Sequence, residues 1–241
     1  MMEAMNHSAT VRDWWEAARP HTWPNAIAPV IAGTGCAALY LQADLGRAVL
    51  ALIVALALIV GVNYANDYSD GIRGTDDERV GPFRLTVSGL VPAAQVKQAA
   101  FAFFGLAGLA GLGLILLSGH WWFLLVGVAC VLAAWFYTGG KRPYGYLGLG
   151  EVFVFVFFGL VAVCGTAYVQ AGAVPPLAIL AALPIAALVT AILVVNNLRD
   201  VATDRVAGKR TLAVIFGPGF ARAEYAALVV APYLLLPVIW L

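Results

Sequence analysis

Charge is what this sequence has least of. Asp, Glu, Lys and Arg make up 11% of its 241 residues, where a soluble domain carries about 25%. With 62% hydrophobic residues, there is too little polar side chain to cover a water-facing surface, which excludes an ordinary soluble fold. The net charge of +1 gives no support for a nucleic-acid partner, and none is expected. Cysteine is scarce too: Cys36, Cys130 and Cys164 fall in separate apolar runs without metal-ligand spacing and read as small buried hydrophobes. The first twenty residues lack the apolar core of a secretory signal. Instead VRDWWEAARPHTWP puts Val11, Trp14, Trp15 and Ala18 on one helical face, so residues 1–20 are expected to lie in the membrane interface. No low-complexity linker interrupts the chain, and residues 1–241 read as one membrane-embedded domain.

Long apolar runs are what the sequence does have. Seven stretch over residues 22–41, 48–66, 99–117, 121–137, 152–169, 177–195 and 226–241, each near the roughly 20 residues that a membrane helix needs. The alternation in EVFVFVFFG would suggest a strand in water. An open strand in lipid leaves backbone groups unpaired, so helix is expected there as well. The fold class is therefore an all-α polytopic transmembrane bundle of about seven helices. Of 14 Lys and Arg, only Arg47 lies outside the N-terminal segment and the second, fourth and sixth connections; of 13 acids, only Asp44 does. The positive-inside rule makes that face and the N-terminus cytoplasmic, in a multi-pass protein of the cell (inner) membrane.

Two polar clusters interrupt this greasy chain on that face. In NYANDYSD, residues 63–70, Asn63, Asp67 and Asp70 recur at helical spacing with Asn66 beside them. In NNLRDVATD, Asn196, Asp200 and Asp204 recur every fourth residue with Asn197 alongside. Helix capping explains the first cluster poorly, because a helix C-terminus disfavours anions. An unpaired carboxylate at membrane depth costs about 2.5–3.5 kcal/mol. Four of them call for a cation or basic partners, and paired oxygen-rich patches suit Mg²⁺ shared with a phosphorylated substrate. Arg84, Lys141, Arg142, Lys209 and Arg210 supply cations, the last four beside glycines that permit close approach to a ligand. Such a set could draw pyrophosphate from a lipid diphosphate and leave a carbocation, which the ring faces of Tyr137, Tyr144 and Tyr146 could stabilise.

These residues resemble the UbiA superfamily of intramembrane prenyltransferases, whose pattern is NDxxDxxxD in one half of a bundle of about nine helices and DxxxD in the other. Here the stretches are NDYSDGIRGTDD and DVATD. Gly74 stands where the last Asp of the first motif is expected, with Asp76 two residues later. The stretches ARPHTWPNAIAPVIAGTG, YTGGKRPYGYLGLGEVFVF and NNLRDVATDRVAGKRTLAV extend the likeness, which is strongest to members that prenylate 1,4-dihydroxy-2-naphthoate. The resemblance implies transfer of a polyprenyl chain from its diphosphate to that acid, with decarboxylation, in menaquinone biosynthesis. It implies Mg²⁺ held by Asp67, Asp70, Asp200 and Asp204, with Asn63 and Asp76. Asn66, Arg84, Lys141, Arg142, Asn197, Lys209 and Arg210 would meet the diphosphate; Arg19, Tyr137 and Tyr144 would face the acceptor or the carbocation. Since the sequence stops at PVIWL, the last helices of the family fold are expected to be missing.

Two rivals fare worse. A CDP-alcohol phosphotransferase needs DxxDGxxAR and a following GxxxDxxxD, and DYSDGIRG continues into neither. A transporter would favour acids near the membrane midplane, whereas these gather at one face. Another aromatic acceptor, such as 4-hydroxybenzoate or homogentisate, is the serious alternative within the same chemistry.

Overall fold

In a membrane every backbone N–H and C=O must find its partner within the chain, and all seven apolar runs are helical. The computed structural model describes residues 9–75 and 81–240. Its elements are α1 (Val11–Ala17), a 3₁₀ turn (Pro20–Thr22), α2 (Pro24–Ala38), α3 (Leu45–Gly71), α4 (Leu85–Ser88), α5 (Ala93–Ser118) and α6 (Phe123–Phe136). A second 3₁₀ turn (Tyr144–Leu147) leads into α7 (Gly150–Val154), a π-helical stretch (Phe155–Val161) and α8 (Ala162–Ala171), which run as one rod. Then come α9 (Pro176–Arg199), α10 (Val201–Val206), α11 (Leu212–Phe216) and α12 (Pro218–Trp240). No strand occurs among the described residues.

The count of spanning helices differs from expectation. Among the described residues, five helices are long and apolar enough to cross a membrane: α3, α5, the α7–α8 rod, α9 and α12. The other two runs form helices of 15 and 14 residues, α2 and α6. At about 1.5 Å per residue they reach roughly 22 Å, short of a hydrocarbon core of about 30 Å. Pro24 opens α2 at its first turn, and Leu39 and Tyr137 cap α2 and α6 before either gains full length.

Small residues set how closely the helices pack. Phe104 of α5 fills the place a side chain at Gly61 of α3 would take, its ring 2.6 Å from where that Cβ would lie. Gly33 of α2 abuts the Val163 carbonyl of α8 at 2.5 Å, and Gly159 of the π stretch abuts Ala186 of α9 at 2.1 Å, measured the same way. Ile59, Val60, Tyr64, Val96 and Phe104 form the largest buried core, between α3 and α5. The exposed apolar side chains, Leu109, Leu125, Leu188 and Leu234 among them, point outward, as lipid-facing residues do. At the end remote from the acids, Arg47 donates to the carbonyls of Leu117, Val169 and Gln170, while Gln170 donates to Thr34 and accepts from the Asp44 N–H. One guanidinium thereby satisfies the ends of α5 and α8, whose last carbonyls have no helical partner.

At the proximal end α1 docks on α3 through Tyr64, whose hydroxyl donates to the Trp14 carbonyl at 2.9 Å. A capping box between Thr10 and Asp13 starts α1, and Val11 and Trp15 stay exposed on its outer side.

The Gly159 contact yields a prediction. Gly159→Val should overpack the α9 interface and cost at least about 2–3 kcal/mol. Gly105→Ala, whose added Cβ meets nothing within 4 Å, should leave stability unchanged or slightly raised. Thermal unfolding of both variants in detergent checks this; equal melting of the two would contradict it.

Candidate active site

The first cluster lies on a helix, not in a loop, because α3 continues unbroken to Gly71. Its last turns carry Asn63, Asn66, Asp67 and Asp70, all buried. Asn63 donates its amide to the Ala18 carbonyl at 3.0 Å and to Thr22 Oγ1 at 3.1 Å. Between those anchors Arg19 adopts a left-handed backbone, φ 52°, uncommon for a residue with a side chain. Asn63 therefore fastens the strained turn that carries Arg19 to the cavity wall, a role the sequence did not reveal. Asn66 shares a 2.8 Å hydrogen bond with the Thr138 hydroxyl. Asp67 accepts from the backbone N–H groups of Leu85 and Thr86 at 2.8 and 2.9 Å. Asp70 accepts from the Tyr146 hydroxyl at 2.9 Å and faces the Arg84 guanidinium at 3.7 Å.

The second cluster forms where α9 gives way to α10. Asp200 ends α9, and Arg199 grips its two oxygens at 2.7 and 2.8 Å. Asp204 lies one turn on and pairs with Lys209 at 3.5 Å. Asn197 donates its amide to Glu151 at 2.8 Å. A carboxylate only accepts, so this contact sends the amide nitrogen of Asn197 toward Glu151.

A single cavity of about 620 Å³ joins the clusters. Its polar mouth takes in Arg19, Asn66, Asp70, Arg84, Asn197, Asp200 and Lys209. Asn63 also reaches it, with its amide committed as described. Deeper, the walls become apolar through Tyr137, Tyr144 and Phe153 and on to Leu114 and Phe123. Tyr144 anchors its hydroxyl on the Ala133 carbonyl at 2.8 Å and stacks on Phe153 at 4.0 Å, leaving an aromatic wall beside the polar mouth.

Several expected residues stand elsewhere. Lys141, Arg142 and Arg210 are exposed and do not line the cavity. The reason is Arg73, which donates to the carbonyls of Thr138 and Gly140 and pins the GGKRP turn so that its two cations project outward. The Arg210 backbone N–H is likewise bound to the Tyr146 carbonyl. Asp76, the proposed substitute for the missing motif Asp, lies outside the described residues.

Tyr146, expected from the sequence only as a ring face for a carbocation, links the two clusters instead. Its hydroxyl serves Asp70 and meets Thr75 Oγ1 at 2.9 Å, and its ring lies 5.6 Å beneath the Lys209 ammonium. One side chain thus touches the first acid cluster and the cation of the second. Burial, then the charge of Asp70, pushes the phenol well above its ordinary value, so it stays a donor at neutral and moderately alkaline pH. Glu151, buried behind Asn197, was missed; the only signal was an acid opening an apolar run.

Among the described residues, no three acids, histidines or cysteines gather into a ready-made metal cage. The donor set still fits Mg²⁺, which commonly takes one or two carboxylates and completes its shell with substrate phosphates and water. Asp70 and Asp200 enter the same mouth from α3 and α9, so an ion shared with a diphosphate would bring them together.

The sequence profile of the UbiA prenyltransferase family matches residues 26–241. The chain belongs to that family. It is 53% identical over 223 residues to a protein of Mycobacterium leprae named 1,4-dihydroxy-2-naphthoate octaprenyltransferase, covering 92% of this chain and 76% of the relative. A protein of Mycobacterium tuberculosis with the same name is 54% identical over 220 residues, 91% of this chain and 75% of the relative. A solved UbiA homologue from Archaeoglobus fulgidus, bound to GPP and Mg²⁺, superposes with a TM-score of 0.71 at 18% identity. That likeness covers 94% of this chain and 77% of the other and supports the UbiA fold alone.

For this UbiA member, Tyr146→Phe keeps the ring under Lys209 and removes the hydroxyl from Asp70. A hydrogen bond to a charged group contributes about 1.5–3 kcal/mol, so kcat/KM for prenyl transfer should fall roughly 10- to 100-fold. Melting should change by less than that loss implies. Wild-type kinetics in the variant would show that the link does not matter.

Proposed function

We propose that this protein transfers a polyprenyl chain from its diphosphate to 1,4-dihydroxy-2-naphthoate, releasing pyrophosphate and carbon dioxide, in menaquinone biosynthesis. The observation that carries the reading is the shape of one cavity: acids from two helix ends and two buried cations at its mouth, and a long apolar interior. Water-soluble substrates have no use for that interior, and simple lipids none for that mouth. Relatives at 53% and 54% identity bear the name of this activity, and UbiA homologues of the same fold were solved with GPP or DMAPP and Mg²⁺.

The residues divide the task. Asp70 and Asp200, which line the cavity, would hold Mg²⁺ together with the donor's diphosphate, and the ion supplies Lewis-acid neutralisation of the leaving group; Asp204, buried beside the mouth, holds Lys209 there. Arg84 and Lys209, both buried, bind the same diphosphate from the protein side; Asn66 donates to it where its amide meets the cavity. As the prenyl carbon–oxygen bond breaks, pyrophosphate keeps the electron pair. The Tyr137 and Tyr144 rings face the allylic cation and the apolar walls withhold water from it. The acceptor's carboxylate-bearing ring carbon forms the new carbon–carbon bond, and carbon dioxide leaves with its bonding pair returned to the ring. The product is the quinol form of demethylmenaquinone. Arg19, on its strained turn, pairs with the acceptor carboxylate before it departs. The site opens to the cytoplasm, as the one-sided distribution of Lys and Arg indicates.

Mass spectrometry of products formed by membranes holding the chain tests the reading. A polyprenyl diphosphate is given with either 1,4-dihydroxy-2-naphthoate or 4-hydroxybenzoate, in Mg²⁺ or EDTA. A decarboxylated prenylnaphthoquinol, read as the quinone after oxidation by air, is expected only with naphthoate and Mg²⁺. Prenylated benzoate instead would keep the chemistry and overturn the acceptor. Asp70→Ala and Asp200→Ala should each lower turnover by at least 100-fold without loss of folded protein.

A further inference from the structure

We infer that Asp67, the second residue of the Asn-Asp pair in the first motif, is a positioning residue that holds Arg84 at the site, and not a metal ligand. Four observations converge. Asp67 is 0% exposed and, unlike Asn66 and Asp70, does not line the cavity. Both its oxygens are engaged, by the Leu85 N–H at 2.8 Å and the Thr86 N–H at 2.9 Å. Those are the first two residues of α4, a four-residue helix whose N-cap, Arg84, makes no side-chain cap. Finally, Gly71 clears a path for the contact: a Cβ there would lie 2.5 Å from Thr86 Cγ2.

A helix of one turn does not persist by itself, since nucleation fixes several residues for one hydrogen bond. Its leading N–H groups have no internal partner and carry the positive end of the dipole. A buried carboxylate accepting two of them is a cap supplied from another helix. The consequence reaches the site because Arg84 directly precedes the captured pair and puts its guanidinium 3.7 Å from Asp70. Drawing Asp67 toward a cation would free α4 and with it the arginine. The neighbouring acids therefore serve different ends: Asp70 faces substrate, and Asp67 fixes the cation that meets it.

Hydrogen exchange tests the tether without any turnover. In EDTA, the peptide holding Leu85 and Thr86 should exchange at least tenfold faster in Asp67→Asn than in the wild-type protein, and adding Mg²⁺ should not reverse this. Unchanged exchange would overturn the inference. Kinetics, which rest on the prenyl-transfer reading, test the route through Arg84. Asp67→Asn should raise the KM for prenyl diphosphate about tenfold while the Mg²⁺ concentration for half-activation at saturating donor stays within twofold; Asp70→Asn should move that concentration. In an Arg84→Ala background, Asp67→Asn should cost little more. Additive losses, or a Mg²⁺ shift as large as that of Asp70→Asn, would make Asp67 a metal ligand after all. Gly71→Ala leaves every carboxylate intact and pushes α4 away. It should reproduce the Asp67→Asn phenotype, and it decides the matter if Asp67→Asn does not fold. A wild-type protein without prenyl transfer would refute the functional reading and leave the exchange result standing.

Discussion

A charge enclosed in an apolar chain persists only where something answers it, and this constraint organises the molecule. Isolated carboxylates shift their equilibrium toward neutrality or demand partners. The partners here come from distant parts of the chain: Arg84 and Tyr146 for Asp70, Lys209 for Asp204, backbone N–H groups for Asp67. Each pairing draws a connection between helices onto a helix end. The acids do not merely occupy the site; they determine which loops fold over it. At the remote end, where a single cation remains, the logic is reversed. Arg47 lies among carbonyls and closes the bundle instead of opening a site.

Charge pairing also explains why two sequence clusters become one cavity. The two acid sets end different helices. Tyr146 connects them, its hydroxyl on Asp70 and its ring under the ammonium that Asp204 holds. A phenol suits this place better than another charged group. It donates to a carboxylate, gives a face to a cation, and adds no charge between them.

Membrane helices and both clusters were legible in the sequence because hydropathy and 3.6-residue spacing act locally. The true lengths of α2 and α6 were not, since proline and cap positions trimmed runs that hydropathy alone extends. Among site residues, Asp70, Asp200, Arg84 and Lys209 line the cavity, while Lys141, Arg142 and Arg210 do not. Their orientation depends on Arg73 and on a backbone bond from Tyr146, long-range contacts that no spacing encodes. One distinction was within reach. On a helical wheel Asn66 and Asp67 lie about 100° apart, on opposite flanks of the line through Asn63 and Asp70. Only one flank can face a given cavity, and the other is turned to α4.

The same wheel arithmetic accounts for the π-helical stretch. The rod from α7 to α8 lines the cavity with Phe153, Phe157, Val161, Gly165 and Val169, every fourth residue. In a regular α-helix each such step overshoots a turn by about 40°, so the stripe would drift about 160° and leave the cavity. A π-helical turn, bonded i→i+5, is wider than an α turn, so steps of four residues overshoot it less. The seven residues Phe155–Val161 therefore offset part of that drift. The wall thus stays aligned from the aromatic mouth to the far end of the chamber. Gly159 lets the widened turn sit against Ala186, so the geometry that steers the phenylalanines inward also seals the rod to α9. Irregularity in this helix is a means of keeping one face turned toward the apolar cavity.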